Sequence, residues 1–354
     1  MSIEEKHRLV ASVSRGDVAA ADAAEAAEVS LRTMRRWVAA YRLSGKGALR
    51  HGLCGRPSNN AARADKEAVM ALALGKYARF NLSHMAELLG EREGIAISRE
   101  TLRVWLARPR RHRRPKHRRR RQPCPNFGDM LQIDGSFHQW FGGRRTCLIN
   151  IVDDATKVCM LRFEEQETIE AACRCAWGWF LDHGVPKAFY ADGRNMYHWL
   201  KDSKPNLFTA MCRRLAIRVI VARSPQAKGR VERANGVHQD RLVPLLDLDG
   251  VTDIGKANNY CAQYIRSHNS RFRAEYPGSD SHRPLPAWAK SIDDLCFIET
   301  PRTIANDWTF RYGGKTYQIP RQSSYPPAKS KINLKINISG RIIAQYRGVT
   351  LTLL

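Results

Sequence analysis

The amino-acid sequence predicts a multidomain chain: α-helical helix-turn-helix units at the N-terminus, an α/β core with a mixed sheet, and a small C-terminal β-barrel. Three observations predict it. Apolar residues recur at helical spacing up to about residue 107, in short strand-like runs from Phe127, and in paired hairpin-like runs from Asn306. Two stretches of linker composition separate these regions, one rich in glycine and one in arginine. Within the middle region the order reads strand-strand-strand-helix-strand-helix-strand-helix, as expected for antiparallel strands followed by crossovers.

Residues 1–56 form the first expected unit. Leu9, Val10 and Val13 mark a short amphipathic helix, and the alanine-rich run from Val18 to Glu28 is helix-prone. Ser30 is placed to cap a third helix, on which Leu31, Met34, Val38 and Tyr41 recur at helical spacing. Arg32, Arg35 and Arg36 fall largely on its other faces and are candidate DNA contacts. An ordinary helical bundle with a solvated basic face is the competing reading. Gly45 to Asn60 reads as a linker. Residues 61–107 then repeat the helical pattern as a second helical DNA-binding unit, with Ser98 as a cap and Leu102, Trp105 and Leu106 facing inward.

Residues 108–125 form an Arg-rich linker. Arg108 to Arg121 holds nine Arg, one Lys and two His with no acid, while Pro109 and Pro115 oppose a continuous helix. It reads as a segment that tracks nucleic acid, Arg118 and Arg119 included.

Residues 126–280 carry the α/β core. Strands are expected at Met130 to Asp134, Cys147 to Val152, Val158 to Phe163, Lys187 to Ala191 and Ile217 to Ala222. Helices are expected at Glu167 to His183 and Leu207 to Leu215, and a third carries Glu232 and runs to about Leu246. This element order is that of the ribonuclease H-like fold. A further helix spans Ile254 to His268, Arg283-Pro284-Leu285-Pro286 opens a linker, and residues 306–354 supply the strands of the barrel.

Composition narrows the function. The chain has 354 residues, with 59 Lys plus Arg against 34 Asp plus Glu, a formal net charge of +25. Such a surplus favours a polyanionic partner, because each phosphate contact releases condensed counterions. No stretch of about 20 apolar residues suits a membrane. Met1-Ser2-Ile3-Glu4-Glu5 lacks a basic start followed by an apolar run, so no secretion signal is expected. Nine cysteines without a CxxC pair argue for free thiols in a reducing cytoplasm rather than structural zinc.

Three acids stand out against this basic background. Leu131-Gln132-Ile133-Asp134 and Ala188-Phe189-Tyr190-Ala191-Asp192 each end an apolar run on one Asp, and Glu232 lies in the helix launched by Ser224-Pro225-Gln226-Ala227-Lys228-Gly229-Arg230. Two-metal phosphoryl transfer needs acidic oxygens converging on two hard cations about 3.5–4 Å apart. Asp134 on the central strand, Asp192 at the mouth of its neighbour and Glu232 on a helix packed over both would meet that need. Each acid taken singly also fits a turn residue or a surface ion pair. Lys228, Arg230 and Arg233 would neutralise phosphates near Glu232, His138 is a possible auxiliary group, and Asp153 and Asp154 read as turn acids.

The segment from Asp129 to Leu285 resembles the catalytic core of ISNCY-type insertion-sequence transposases, within the DDE transposases and retroviral-type integrases. The residues that carry the resemblance are Gln132-Ile133-Asp134-Gly135-Ser136 with His138 and Trp140, Ile151-Val152-Asp153-Asp154-Ala155-Thr156, Tyr190-Ala191-Asp192, and Ser224 to Asn235. Gln239-Asp240-Arg241-Leu242, Tyr264, Asn269, Arg271, Phe272 and His282-Arg283-Pro284-Leu285 continue it. The chain departs from the family after Asp192, where Gly193-Arg194-Asn195 replaces the usual Lys-His-Ser. The resemblance implies Asp134, Asp192 and Glu232 as a catalytic, metal-binding triad holding two Mg2+ or Mn2+ ions. It also implies double-stranded DNA as partner, both terminal inverted repeats and target, a homo-oligomer on that DNA, and a bacterial, nucleoid-associated setting. A DNA-binding regulator with an inert core and a related nuclease or resolvase are the rival readings.

Overall fold

The computed structural model describes residues 1–50, 65–108, 121–141, 143–192, 206–221, 229–320 and 328–354. Arg118, Arg119 and Lys228 lie outside the described residues, as do the Gly-rich linker beyond residue 50 and the stretch that follows Asp192. The chain divides into two compact units, Met1–Asp65 and Lys66–Leu354.

Among its described residues the first unit has three helices, α1 (Ile3–Arg15), α2 (Ala20–Ala26) and α3 (Leu31–Ser44), followed by a short 3-10 turn at Gly45–Leu49. Ser2 and Glu5 cap the start of α1 reciprocally, and the Ser30 hydroxyl accepts the N–H of Thr33 to open α3. Val10, Ala23, Ala24, Met34, Val38 and Leu49 form its core. Arg32, Arg35 and Arg36 are all exposed on α3.

The second unit begins with α4 (Lys66–Leu74), α5 (Leu82–Glu93) and α6 (Arg99–Trp105). A five-stranded sheet follows, from β1 (Leu131–Phe141), β2 (Arg144–Asp153), β3 (Cys159–Glu164), β4 (Ala188–Ala191) and β5 (Arg218–Val221), in the order β3-β2-β1-β4-β5. β1, β2 and β3 run antiparallel, while β4 and β5 run parallel to β1. With α7 (Ile169–His183), α8 (Leu207–Arg214), α9 (Gly229–Leu248) and α10 (Ile254–Phe272) around it, this mixed sheet fits a ribonuclease H-like core.

β1 runs well past the expected end at Asp134, because Gly135 to Phe141 keep hydrogen-bonding to β2 as far as Arg144. Gly184 ends α7 at φ +93°, and a Cβ there would stand 2.6 Å from the carbonyl oxygen of Arg283, so both backbone and space require glycine. Trp140 is fully buried, edge-on to Phe163 at 5.4 Å, and its indole N–H donates to the Ser136 carbonyl at 3.0 Å. Trp140→Ala should cost the sheet unit about 3–5 kcal/mol through the cavity it leaves, read as a lower denaturant midpoint.

α5 lies against the far half of α9 and the end of α10. Its Glu87 accepts from Arg241 at 2.7 Å and also pairs with Arg271, and Arg92 pairs with Asp249 at 2.6 Å. Arg271 also reaches Glu91, Arg79 pairs with Asp247, and the Asn81 amide donates to Asp240. Much of the charge on α5 is thus engaged by the core's own helices.

The C-terminal strands depart from the expected barrel. A strand absent from the sequence reading, β6 (Phe297–Thr303), follows the short α11 (Ile292–Leu295). It pairs along its length with β9 (Lys331–Asn337), giving an open sheet β11-β10-β9-β6 with β10 (Ile342–Tyr346) and β11 (Val349–Leu351). β6 is an edge strand, where the missing N–H of Pro301 is tolerated. β7 (Thr309–Tyr312) and β8 (Lys315–Gln318) form a separate hairpin. The two sheets share a core of Ile304, Phe310, Ile319, Ile332, Leu334, Ala344 and Leu351. Only the Gln318–Leu354 backbone pair bridges hairpin and β11 edge among the described residues, so the strands pack as two layers without closing.

The eight described cysteines are free; seven are buried, and Cys124 is half-buried. Among the described residues no helix is long and apolar enough to cross a membrane.

Candidate active site at the end of the central strands

The site is built by laying α9 along β1. The buried stripe Val231, Asn235, His238, Leu242 and Leu245 recurs at alternating steps of four and three, which keeps one helix face on the sheet. Polar contacts on that seam keep pace with the strand. The Val231 N–H donates to Gln132 Oε1 at 3.2 Å, Asn235 Nδ2 to Asp134 Oδ2 at 3.1 Å, and Gln239 Nε2 to Ser136 Oγ at 2.9 Å. Four helical residues rise about 6.0 Å and two strand residues about 6.6 Å, so helix and strand stay in step over this length.

Asp134 is half-buried in the middle of β1, opposite Asn150 on β2. Asn150 Nδ2 donates to Asn235 Oδ1 at 2.9 Å, so Asn235 is oriented by one neighbour as it donates to the other. The parallel register pairs Leu131 with Phe189 and Gln132 with Tyr190, and Asp134 and Asp192 each lie two residues farther along the chain, Asp192 just past the end of β4. Glu232 lies in the first turn of α9, one turn before Asn235, with its side chain exposed. Among the described residues no group of three His, Cys, Asp or Glu side chains stands close enough to hold a metal ion. Asp134 and Asp192 thus belong to neighbouring parallel strands and Glu232 to the first turn of the helix packed on β1, but among the described residues the carboxylates do not gather as a group of three.

A fourth carboxylate comes near from another direction. The N–H of Gly135 donates to Glu167 Oε1 at 3.1 Å, and a Cβ on Gly135 would stand 2.5 Å from Glu167 Cδ. Glycine beside Asp134 is what admits this side chain.

The bases are divided. Arg233 is exposed, whereas Arg230 turns inward and its Nε stands 2.7 Å from Asp154 Oδ1. His138 shares the alternating strand face of Asp134 and Ser136, but four residues along a strand is about 13 Å, and its ring packs edge-on to Trp140 at 5.5 Å. Asp153 and Asp154 are fully buried. Asp153 caps its own turn through Ala155, Thr156 and the N–H of Gly128; burial pushes its carboxyl above the usual value, against the pull of the Thr156 and Gly128 donors. Asp154 reaches out of the turn to Gln132 and Arg230. Asn235, Gln132, Asp154 and Glu167 are site neighbours that the sequence reading did not select.

A cleft of about 260 Å³ lies between α5, α9 and α10, lined by His84, Arg92, Arg241, Tyr264, His268 and Arg271 among others. It holds none of the three predicted carboxylates, and its arginines are already paired with Glu87, Glu91 and Asp249, so it is a seam between helices.

No protein-family model matches the chain. Among curated proteins, "Putative transposase y4bF" of Sinorhizobium fredii is 33% identical over 322 residues, covering 86% of this chain and 70% of that protein. The transposase for insertion sequence IS1202 of Streptococcus pneumoniae is 28% identical over 322 residues, covering 77% and 69%. Similar solved structures include the HTLV-2 integrase catalytic core domain in complex with magnesium, at 18% identity and TM-score 0.32 over 38% of this chain and 84% of that one. They also include a simian T-cell lymphotropic virus intasome in complex with a PP2A regulatory subunit, at 15% identity and TM-score 0.37 over 74% and 90%.

Proposed function

The chain belongs to the insertion-sequence transposases, and from that premise we propose that it cleaves DNA at element ends and joins the freed 3′-OH to target DNA, with Asp134, Asp192 and Glu232 as the catalytic carboxylates. The observation that supports this reading is the parallel pairing of β1 with β4, which leaves Asp134 and Asp192 two residues beyond the same paired positions, with α9 held on β1 by the Asn235–Asp134 hydrogen bond.

The donor set fits a hard divalent cation. All three groups are carboxylates, as Mg2+ or Mn2+ prefers, and no thiol or imidazole is among them. In this reading Asp134 on β1, Asp192 just past β4 and the exposed Glu232 on α9 supply the set. Two such ions, when bound, supply positive charge to the attacking and leaving oxygens of an in-line displacement.

The chain's own residues do the rest. Asn235 holds and orients one Asp134 oxygen. Arg233 on α9 and Arg32, Arg35 and Arg36 on α3 present exposed guanidinium groups to phosphates. Lys228, Arg118 and Arg119 join them in this reading, and His138 serves as an auxiliary group farther along β1. The α4–α6 helices take part as a second DNA-binding unit. Two element ends joined to one target call for at least a dimer of this chain on DNA.

The test is an incubation of the full-length protein with a duplex bearing the element end and a target plasmid. Joined products in Mg2+ or Mn2+, and none with chelator, are expected. Cut ends without joined products would replace this reading with a nuclease, and binding without cutting would replace it with a regulator.

A further inference from the structure

We propose that Asp154 is a positioning residue for the proposed reaction: a buried carboxylate that holds the first turn of α9, and with it Glu232, against β1. This rests on the reading of Glu232 as a catalytic group.

Asp154 has no exposed side-chain surface, and among the described residues four donors reach it. Arg230 Nε lies 2.7 Å from Oδ1, Gln132 Nε2 donates to Oδ1 at 3.0 Å, the Cys124 N–H donates to Oδ2 at 2.8 Å, and the Arg121 guanidinium pairs with Oδ1. An ionised carboxylate is stable at such depth only when donors surround it, so its charge and their positions fix one another. Two of the four lead to the same place. Arg230 is two residues before Glu232. Gln132, gripped through its amide NH2, offers its oxygen to the N–H of Val231. That N–H is one of the first-turn donors a helix cannot satisfy by itself. Asp154 thus holds the start of α9 twice, once through a side chain of the helix and once through its backbone.

A helix N-terminus left to water frays within its first turn, and Glu232 is in that turn. The two adjacent acids divide the work: Asp153 fastens its own turn, while Asp154 fastens the helix. Arg121, the last base of the Arg-rich run, is drawn to the same carboxylate, so that run ends beside the site.

The experiment measures joining turnover at saturating DNA, and DNA affinity separately, for the full-length protein. Asp154→Asn should lower turnover about 100-fold, the scale of a displacement near 1 Å, with affinity within about twofold of wild type. Arg230→Gln should also lower turnover while leaving the salt dependence of binding unchanged, and Arg230→Lys should restore part of it. The double variant D154N/R230Q should be little worse than D154N alone, since R230Q breaks a link that D154N has already broken. Normal turnover in D154N, or an R230Q variant that loses affinity and salt slope but not turnover, overturns the proposal. If D154N does not fold, R230Q and R230K carry the test alone. Asp134→Asn is the control: joining at the wild-type rate in D134N sinks the parent reading, whereas a dead D134N beside an unimpaired D154N sinks only the positioning role.

Discussion

Asp134→Asn yields a folded protein that binds element-end DNA and joins none of it, with joining lowered on the order of 10³-fold or more. The substitution keeps the shape of the side chain and an oxygen for the Asn235 amide to bond, so the seam between α9 and β1 survives. What it removes is a negative charge and a hard ligand oxygen, both of which a divalent cation requires. Asp192→Asn and Glu232→Gln should have the same outcome, and the triple variant should be scarcely worse than any single one, since residues that act as a unit are not additive. Joined product on a sequencing gel reads the chemistry, and a gel shift reads the binding. Joining by D134N at the rate of the unaltered protein would remove Asp134 from the reaction.

Much of the core was legible in sequence because its strands are short apolar runs with sharp ends. Their order and the helices between them fixed the sheet, in which β1, carrying Asp134, and β4, leading into Asp192, are parallel neighbours. The polar residues that orient the carboxylates were not legible. Asn235, Gln132 and Asp154 acquire partners only once α9 lies on β1 in one register, and nothing in a local window states that register. Asp154 looked like a turn acid because its dipeptide partner Asp153 is one. Arg230 looked like a phosphate contact because the buried acid it serves lies far away in sequence. The C-terminal region was misjudged for a different reason: hairpin spacing predicts neighbouring strands but does not decide whether a sheet closes, and the edge strand with Pro301 resembles a linker.

Stability of the second unit should fall by about 4 kcal/mol between pH 7.5 and 5.5, a large part of an ordinary domain's reserve. The cause is three imidazoles buried where α5, α9 and α10 meet: His84, His238 and His268. Burial, then the positive charge of Arg241, pushes His84 down to about 4. Burial pushes His268 down to about 4 as well, with Arg241 and Arg271 adding to it against the lift of Asn269. His238 is driven well below its ordinary value by burial, then by His268 and Arg241. The sign follows. In the unfolded chain each titrates near 6.5, so below that pH the unfolded state takes up protons that the folded state refuses, and the folded state is disfavoured. The full benefit is present above 6.5 and is lost as pH falls toward 4. Nearby carboxylates extend the loss further. Glu87, which burial alone would raise, is held below its ordinary value by Arg241 and Arg271, and Asp249 is held down by its hydrogen bond to Arg92, so both favour the fold only while ionised. Guanidinium unfolding at pH 7.5, 6.5 and 5.5 measures the slope. Because the imidazole Nδ1 of His84 has no hydrogen-bond partner, His84→Leu removes one proton site without orphaning another group and should flatten the slope by about one third. A flat stability profile across this range would mean that these imidazoles are not buried neutral in the folded protein, and the docking of α5 on α9 and α10 would have to be redrawn.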